Sequence, residues 1–453
     1  MEHPPLPLPD ELKRVASTFA KANRQCWLVG GAVRDGILGR GSEDFDLATD
    51  APPEEVVRLF RRTIPTGIKH GTITILKGKH QFETTTFRKD GDYSNGRHPD
   101  AVSYASHIDE DLARRDFTIN AIAWDLINHR LFDPHDGQGD IQRGIIRAIG
   151  EASQRFEEDG LRSIRACRFA SQLNFKVEDK TLVAITGALH RIPGLSAERI
   201  WEELKKILKS EKPSTALMLF LQTGLLKEII PELAQCDGIE QKGTHDKDVL
   251  GHIIAVCDAA SSTNLPLRCA ALLHDVGKPQ THSISPEGLP TFEHHDVVGA
   301  KIAEKILRRL KTPNALRERV VRLIELHMLH YNPNWTDVQI RRFMALTGRD
   351  YVDDVIALHR ADLLAIGAKV ASQEAQLTEL EERVEMTLKA QVPLTIRDLA
   401  IDGRTLMKEL KKTGGPWLGD LLDDLLNHVL EDPTMNQEEP LLAYAKKWLS
   451  LQL

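Results

Sequence analysis

The chain has little cysteine, no long apolar run and no excess of positive charge, and each shortage narrows what it can be. Its five cysteines, Cys26, Cys167, Cys236, Cys257 and Cys269, are odd in number, widely spread and form no C-x-x-C pair. Neither a disulfide framework nor a thiolate zinc site follows from them, and they read as reduced core residues. No window approaches the roughly 18 to 20 uninterrupted apolar residues that span a membrane. The Met-Glu-His-Pro-Pro start also lacks the basic end and apolar core of a signal peptide, so a cytoplasmic protein without a membrane partner is expected. A net charge of -7 argues against a broadly basic nucleic-acid binder, and any RNA contact has to come from local basic patches. There is no internal repeat and no low-complexity tract beyond a short Pro-rich start. What is present is 453 residues, 41% hydrophobic and 28% charged, enough to bury two or three cores.

Residues 1–148 mix helices with short runs rich in β-branched and aromatic residues: Cys26–Val29, Thr72–Leu76 and Phe82–Phe87. They predict a small α/β head. From Phe156 onward nearly every segment carries helical periodicity, as in Ile200–Leu208, with turns marked by Pro213, Pro266, Pro313 and Pro333. A break is expected over 376–395, where the charged run Glu379–Glu385 gives way to Pro393 and a last helical segment.

The strongest signal is Leu28-Val-Gly-Gly-Ala-Val-Arg-Asp-Gly-Ile-Leu-Gly39, followed by Glu43-Asp-Phe-Asp-Leu47. A strand that ends in Gly30-Gly31 and turns into a helix lets the backbone approach a triphosphate and aims N–H groups at it. Asp44 and Asp46 are two apart, which on a strand puts both carboxylates on one face, roughly 6 to 7 Å apart at the α-carbons. They can share two magnesium ions, which would activate an attacking hydroxyl and neutralise a leaving pyrophosphate. Glu83, on a later strand-like run, is the candidate third carboxylate. Taken singly, a Gly-Gly pair or a D-x-D triplet is common; their order is what is specific.

In that order the chain resembles the polymerase-β-like nucleotidyltransferases, and more narrowly the bacterial and eukaryotic-type (class II) CCA-adding enzymes and bacterial poly(A) polymerases. Further motifs follow at Arg97-His-Pro-Asp100 and Asp111-Leu-Ala-Arg-Arg-Asp-Phe-Thr-Ile-Asn-Ala121. The resemblance implies nucleotide-binding roles for Gly30, Gly31 and Arg34, and for Arg115, Asp116 and Asn120 at the sugar. Glu158-Asp-Gly-Leu-Arg162 looks like the motif with which this family reads the incoming base by protein alone, which assigns Asp159 and Arg162 to the base and Arg165 and Arg168 to the triphosphate or the neighbouring helix. Cytosine and adenine each present an amine donor beside a ring-nitrogen acceptor, which an aspartate next to an arginine can match. Uracil and guanine would leave a donor facing the arginine, a penalty on the order of 1 to 3 kcal/mol. On a helix, Asp159 and Arg162 would also share a face as a plain ion pair. Glu198-Arg-Ile-Trp201 is expected to be structural, with Arg199 a brace, and the Gly91–Gly96 turn cluster corresponds to a loop that rearranges in the family when C gives way to A.

The helical part carries a second constellation: His252, His274-Asp275 within Leu273–Pro279, His295, His327 and Asp362. Imidazole and carboxylate ligands suit Mn, Ni, Zn, Fe or Co. The set resembles an HD domain, a helical metal-dependent phosphohydrolase fold. That implies a transition-metal site, with His294 as a substitute for His295, and hydrolysis of a phosphate ester with Lys278 steadying the developing charge. The fold class implied is α+β: a polymerase-β-like head with a small mixed sheet over 1–148, a neck over 149–212, a helical body over 213–375 with the HD domain at 244–365, and a tail over 376–453.

The function implied is addition or repair of the tRNA 3′-terminal CCA from CTP and ATP, with magnesium at the head. An A-adding or CC-adding enzyme or a poly(A) polymerase would share the same chemistry. An HD phosphohydrolase with an RNA-binding head, or an enzyme modifying a small antibiotic, fits the motif set less well. Lys205, Lys206, Lys209, Arg308, Arg309, Arg341 and Arg342 are the candidate phosphate contacts for tRNA, while the sequence leaves the oligomeric state open.

Overall fold

The computed structural model describes residues 7–68, 71–90, 102–241, 247–366 and 371–451. The chain divides into two compact units, the first comprising Met1–Ala234 with Arg309–Lys311 and the second Gln235–Arg308 with Thr312–Leu453.

The first unit is built on a mixed sheet. Its strands in chain order are β1 (Trp27–Val29), β2 (Asp46–Thr49), β3 (Thr63–Gly67), β4 (Thr72–Lys77), β5 (His80–Thr86), β6 (Arg88–Asp90), β7 (Val102–Tyr104), β8 (Ala123–Asp125) and β9 (Leu131–Phe132). The sheet runs β3-β4-β5-β2-β1-β8-β9, and β6 pairs with β7 alone. Alternation explains the β4–β5 hairpin: Ile73, Ile75 and Phe82 have no exposed surface, and Ile75 lies opposite Phe82. Burying each of these side chains contributes about 1.5 to 3 kcal/mol. A one-residue slip would turn them all to solvent, so they also fix the register. The central strands β1 and β2 are buried almost throughout, as their apolar runs require.

That register positions the carboxylates. Val29, the last residue of β1, pairs with Asp46, the first of β2, and the parallel pairing of Leu47 with Thr84 brings Glu83 alongside Asp46. Beyond the sheet the described residues of the unit are mainly helical, with a short parallel pairing of Ile145–Ile146 with Lys176–Val177. Helix Leu161–Leu173 packs against Ala197–Leu208 and Pro213–Thr223. In Ala197–Leu208 the buried Ile200, Trp201, Leu204, Ile207 and Leu208 form one face.

Among its described residues the second unit is helical except for a hairpin of Ser283–Ile284 with Pro290–Thr291. Helix Val249–Ala259 is capped by the Asp248 carboxylate, which accepts from the Gly251 N–H at 2.7 Å, and Asp337–Thr347 opens with a Thr336/Gln339 capping box. The expected break over 376–395 begins inside one continuous helix, Ala371–Lys389, and the helix ends within that range. Its Leu377, Leu380 and Val384 share a core with Ile340, Met344 and Ile356, so the charged run Glu379–Glu385 is the solvated face of an amphipathic helix. A separate cluster of Ile401, Leu406, Leu421, Leu425, Val429 and Leu441 forms the C-terminal core. Among the described residues no helix is long and apolar enough to cross a membrane, and all five cysteines are buried thiols outside any disulfide.

Candidate active site and metal centre

One cavity of about 610 Å³ gathers the residues that the sequence singled out in the first unit: Gly30, Gly31, Arg34, Asp44, Asp46, Glu83, Arg115, Asp116, Asn120, Asp159, Arg162, Arg165 and Arg168 all line it. Gly30 ends β1 with φ +73°, a conformation that glycine tolerates, and a Cβ there would lie 3.0 Å from Arg115 Nη1. The glycine lets the guanidinium lie against the turn. Arg115 Nε is buried without a hydrogen-bond partner among the described residues, and a ligand that accepts there would satisfy it.

Asp44 sits just ahead of β2 rather than on it, exposed, and the buried Phe45 points the other way from Asp46. Burial and the charge of Asp44, opposed by Arg115 and reinforced by Glu83, push the Asp46 carboxyl up to about 6. The three carboxylates share a wall without closing into a tight cluster. An uncompensated set of hard oxygen donors of this kind fits magnesium.

A chain of polar contacts runs from this wall into the helices. Arg34 donates to Asp35 at 2.8 Å and to Asn120 Oδ1 at 2.7 Å, and Asn120 Nδ2 donates to Asp116 Oδ1 at 3.0 Å. Asp116 Oδ2 accepts from Arg165 Nε at 2.7 Å. Burial alone would raise the Asp116 carboxyl, but Arg165 and Asn120 bring it down to about 2. Arg165 and Arg168 are further tied to Glu203, a carboxylate only 3% exposed. Arg168 stacks on Phe169 at 3.8 Å from the ring centre, with Arg34 and Arg165 at 5.2 and 5.3 Å.

The two base-reading candidates do not pair with each other. Asp159 lies in the break between helices Ala152–Glu158 and Leu161–Leu173, not on a helix face. Its Oδ1 accepts from the Leu161 N–H at 3.1 Å and its Oδ2 from Arg199 at 2.6 Å. Arg162 is held by Glu158 and donates to the carbonyls of Arg155 and Arg114 at 3.0 and 3.1 Å. Both are therefore oriented with capacity to spare: a carboxylate has about four acceptor positions and a guanidinium five N–H groups. Thr72, Thr85, Arg88, Arg114, Phe169 and Arg199 also line the cavity and were not singled out as nucleotide-site residues. For Phe169 the signal was available, since Arg162, Arg165 and Phe169 recur at i, i+3 and i+7 on one helix face. Arg97–Asp100 and Gly91–Gly96 lie outside the described residues.

In the second unit a pocket of about 220 Å³ is lined by His252, His274, Asp275, His295, His327 and Asp362, together with Lys278, His330 and His359. His295 is buried and His294 is exposed with φ +60°, which excludes the substitute. His274, His295 and His327 each direct Nδ1 at a backbone carbonyl, of Ala271, Phe292 and Ile324, at 2.9, 2.7 and 2.7 Å. Those carbonyls only accept, so Nδ1 donates in each ring, and in the neutral ring Nε2 presents a lone pair to the pocket. His274 Nε2 is buried and makes no hydrogen bond; Asp275 Oδ2 is 3.2 Å away but off-angle. Burial, with His274 nearby, lowers His327 to about 4, which keeps it in the ligating form at neutral pH. Burial would raise Asp275, but His274 and Lys278 hold it well below the ordinary carboxylate range.

Three family models match the chain: "Poly A polymerase head domain" over 26–147, "Probable RNA and SrmB- binding site of polymerase A" over 174–236, and tRNA nucleotidyltransferase domain 2 over 296–445. The CCA-adding enzyme of Enterococcus faecalis is 32% identical over 444 residues, 97% of each chain. The chain belongs to the CCA-adding enzymes. The CCA-adding enzyme of Geobacillus thermodenitrificans is 33% identical over 93% of this chain and 92% of its own. Among solved structures, the Bacillus stearothermophilus CCA-adding enzyme in complex with CTP aligns over 98% of both chains at 27% identity and a TM-score of 0.75. A Thermotoga maritima CCA-adding enzyme complexed with tRNA shares the fold at 19% identity and a TM-score of 0.57, over 97% of this chain and 95% of its own. As a CCA-adding enzyme the chain is a tRNA nucleotidyltransferase, and the α+β class with a small head sheet is that of its relatives.

Proposed function

We propose that the protein builds and repairs the CCA end of tRNA from CTP and ATP, choosing each base with Asp159 and Arg162. The observation that carries this reading is convergence: carboxylates, a glycine turn and an Asp/Arg pair from separate parts of the chain line one cavity. Asp44 and Asp46, with Glu83 beside them, would hold two magnesium ions. Bound there, the metals supply acidity to the tRNA 3′-hydroxyl and offset charge on the leaving pyrophosphate. The Gly30–Gly31 turn, Arg34 and Arg115 receive the triphosphate, while Asp116 and Asn120, locked by Arg165 and Arg34, meet the sugar. Arg165 and Arg168, splinted by Glu203 and stacked on Phe169, form the floor. Arg199 and the Glu158 carboxylate hold the two base readers in place, so that a cytosine or adenine edge meets preset partners.

The body and tail receive the tRNA. Arg341 and Arg342 are the weaker candidates for its phosphates, since Arg341 caps the carbonyls of Leu430 and Glu431 and Arg342 pairs with Glu431. Arg309 is likewise engaged by both oxygens of Glu232. We keep the head and neck divisions at 1–148 and 149–212, extend the body from 213 to the end of helix Ala371–Lys389 and start the tail after it. For the second unit we propose metal binding by His252, His274, Asp275, His295, His327 and Asp362, with hydrolysis of a phosphate ester as its use. The lone pairs turned into that pocket favour it.

The test is extension of tRNAs ending before CCA, after C and after CC, with CTP, ATP or both, resolved at single nucleotides. Growth to CCA followed by arrest is expected. Addition of A alone, of C alone, or of an unlimited A tail would overturn the reading.

A further inference from the structure

Addition to a tRNA end has two substrates, and the residues assigned so far receive the triphosphate, sugar and base of only one. Part of the same cavity wall remains: Thr72 on β4 and Thr85 on β5 line it beside Glu83. Leu47 and Thr84 pair across the parallel β2–β5 junction and are both 1% exposed, so the residues before them, Asp46 and Glu83, lie on the other face of the sheet, toward the cavity. Thr85 shares that face with Glu83, and the pairing of Thr72 with Thr85 and of Thr74 with Glu83 carries it onto β4. There the hydroxyls meet in pairs. Thr72 Oγ1 is 3.1 Å from Thr85 Oγ1, and Thr74 Oγ1 is 2.9 Å from Thr66 Oγ1 on β3. A strip of hydroxyls thus runs from beside Glu83 to the exposed Thr66 at the sheet edge, about 10 Å at the usual strand spacing.

Strand order decides what the strip faces. From that edge the sheet runs β3-β4-β5-β2-β1. The Gly30 turn follows β1 on one flank of Asp46, and the strip starts on the other flank. In an in-line displacement the attacking oxygen forms its bond to the α-phosphorus on the side opposite the departing pyrophosphate. With the triphosphate at the Gly30 turn, the tRNA 3′-hydroxyl comes in over β5. The strip suits a ribose. Within each threonine pair one hydroxyl donates to the other, which leaves one O–H and unshared lone pairs, so the pair can both donate and accept. A ribose 2′-hydroxyl also does both, and it is the group that separates RNA from DNA.

We propose that Thr72 and Thr85 bind the 2′-hydroxyl of the terminal tRNA nucleotide, with Thr66 and Thr74 under the sugar before it. The 2′- and 3′-hydroxyls sit on adjacent ribose carbons, so a grip on the first aims the second at Asp46 and Glu83. One seat serves every cycle, because each added nucleotide becomes the next terminal one. The site therefore selects an RNA end by its sugar while the base readers select the incoming nucleotide.

This inference rests on the CCA reading above and on the triphosphate lying at Gly30. Paired threonines also stabilise a sheet, and the test separates the two roles. Addition of A is measured on tRNA ending in CC, with the last C as the ribonucleotide or as its 2′-deoxy form. For the wild type the deoxy end should lower kcat/KM for tRNA about 2- to 12-fold, the worth of one hydrogen bond. Thr72→Val with Thr85→Val keeps the shape and removes the hydroxyls. It should show a similar loss on the ribonucleotide end, an unchanged KM for ATP, and no further loss on the deoxy end. Thr72→Ser with Thr85→Ser should restore the wild-type sensitivity. If the double valine variant loses its native circular dichroism, Thr85→Val alone is read the same way. Equal sensitivity of wild type and valine variant to the deoxy end, a wild type indifferent to it, or a rise in KM for ATP with none for tRNA overturns the seat and leaves CCA addition standing. No extension of any ribonucleotide-ended tRNA by the wild type overturns both.

Discussion

Replacing Asp46 by asparagine should stabilise the protein while ending its chemistry. Burial and the neighbouring charges of Asp44 and Glu83, against the pull of Arg115, raise this carboxyl from an ordinary 3.8 to about 6. At 1.36 kcal/mol per tenfold change in acidity, holding Asp46 ionised in the fold costs about 3 kcal/mol. The folded pKa lies above the unfolded one, so the folded state holds the extra proton between about pH 4 and pH 6, and stability falls as pH rises through that window. The cost is absent below it and complete above it. Asp46→Asn keeps the shape and deletes the ionisation, so it should gain little at about pH 4 and up to about 3 kcal/mol at about pH 8. At about 2 to 4 °C per kcal/mol for a unit of this size, that is roughly 6 to 12 °C in melting temperature. Calorimetric melts in EDTA at the two pH values measure it. Magnesium with CTP should then stabilise the wild type and leave the variant unmoved. An unchanged melting temperature at high pH, or the same gain at both, would refute the idea that like charge is stored at this wall.

Three further outcomes are expected. Asp159→Ala with Arg162→Ala should let UTP and GTP compete in primer extension, narrowing discrimination by roughly 5- to 150-fold, the equivalent of 1 to 3 kcal/mol; unchanged discrimination would remove both residues from the base site. Gly30→Ala forces a side chain to φ +73° and into Arg115; it should cost about 1 to 3 kcal/mol of stability and weaken triphosphate binding, read by melting and by nucleotide titration. Asp116 is depressed to about 2, so its contribution is present above about pH 4 and fades as pH falls toward 2. Asp116→Asn should therefore cost about 2 kcal/mol at neutral pH and nothing at about pH 2, measured as urea midpoints across that range.

The sequence made legible those features that are local or carried by ordered motifs. The β-branched and aromatic runs Thr72–Leu76 and Phe82–Phe87 announced strands, and Gly30-Gly31 with Asp44 and Asp46 announced a site, because each depends on neighbours a few residues away. What stayed hidden depends on distant pairing. Glu83 was named as a third carboxylate, but the parallel β2–β5 register that sets it beside Asp46 was not legible, and the Arg199–Asp159 contact spans 40 positions. The D-x-D spacing suggested one strand for both carboxylates, yet the strand begins at Asp46, since Asp44 has no strand partner. The Glu379–Glu385 run suggested a boundary because its charges were counted before its leucines; Leu377, Leu380 and Val384 turn the same residues into the face of a helix.

The two base readers carry the same lesson one step further. Spacing alone made Asp159 and Arg162 natural partners for each other, and such a pair would be saturated and blind to a base. The helix break at Asp159-Gly160 separates them, and Cβ crowding explains why glycine stands there: a side chain at 160 would lie 2.8 Å from Arg191 Cβ. With the break in place, Asp159 turns to Arg199 and Arg162 to Glu158, and each keeps hydrogen-bonding capacity toward the cavity. Selectivity without a template thus requires that the readers be braced by third parties and kept from each other. Removing a brace tests this directly. Arg199→Ala should loosen Asp159 and raise KM for CTP and ATP while kcat falls less, with partial rescue by Arg199→Lys. A pure loss of kcat at constant KM would mean that Arg199 acts on the chemistry rather than on the fit of the base.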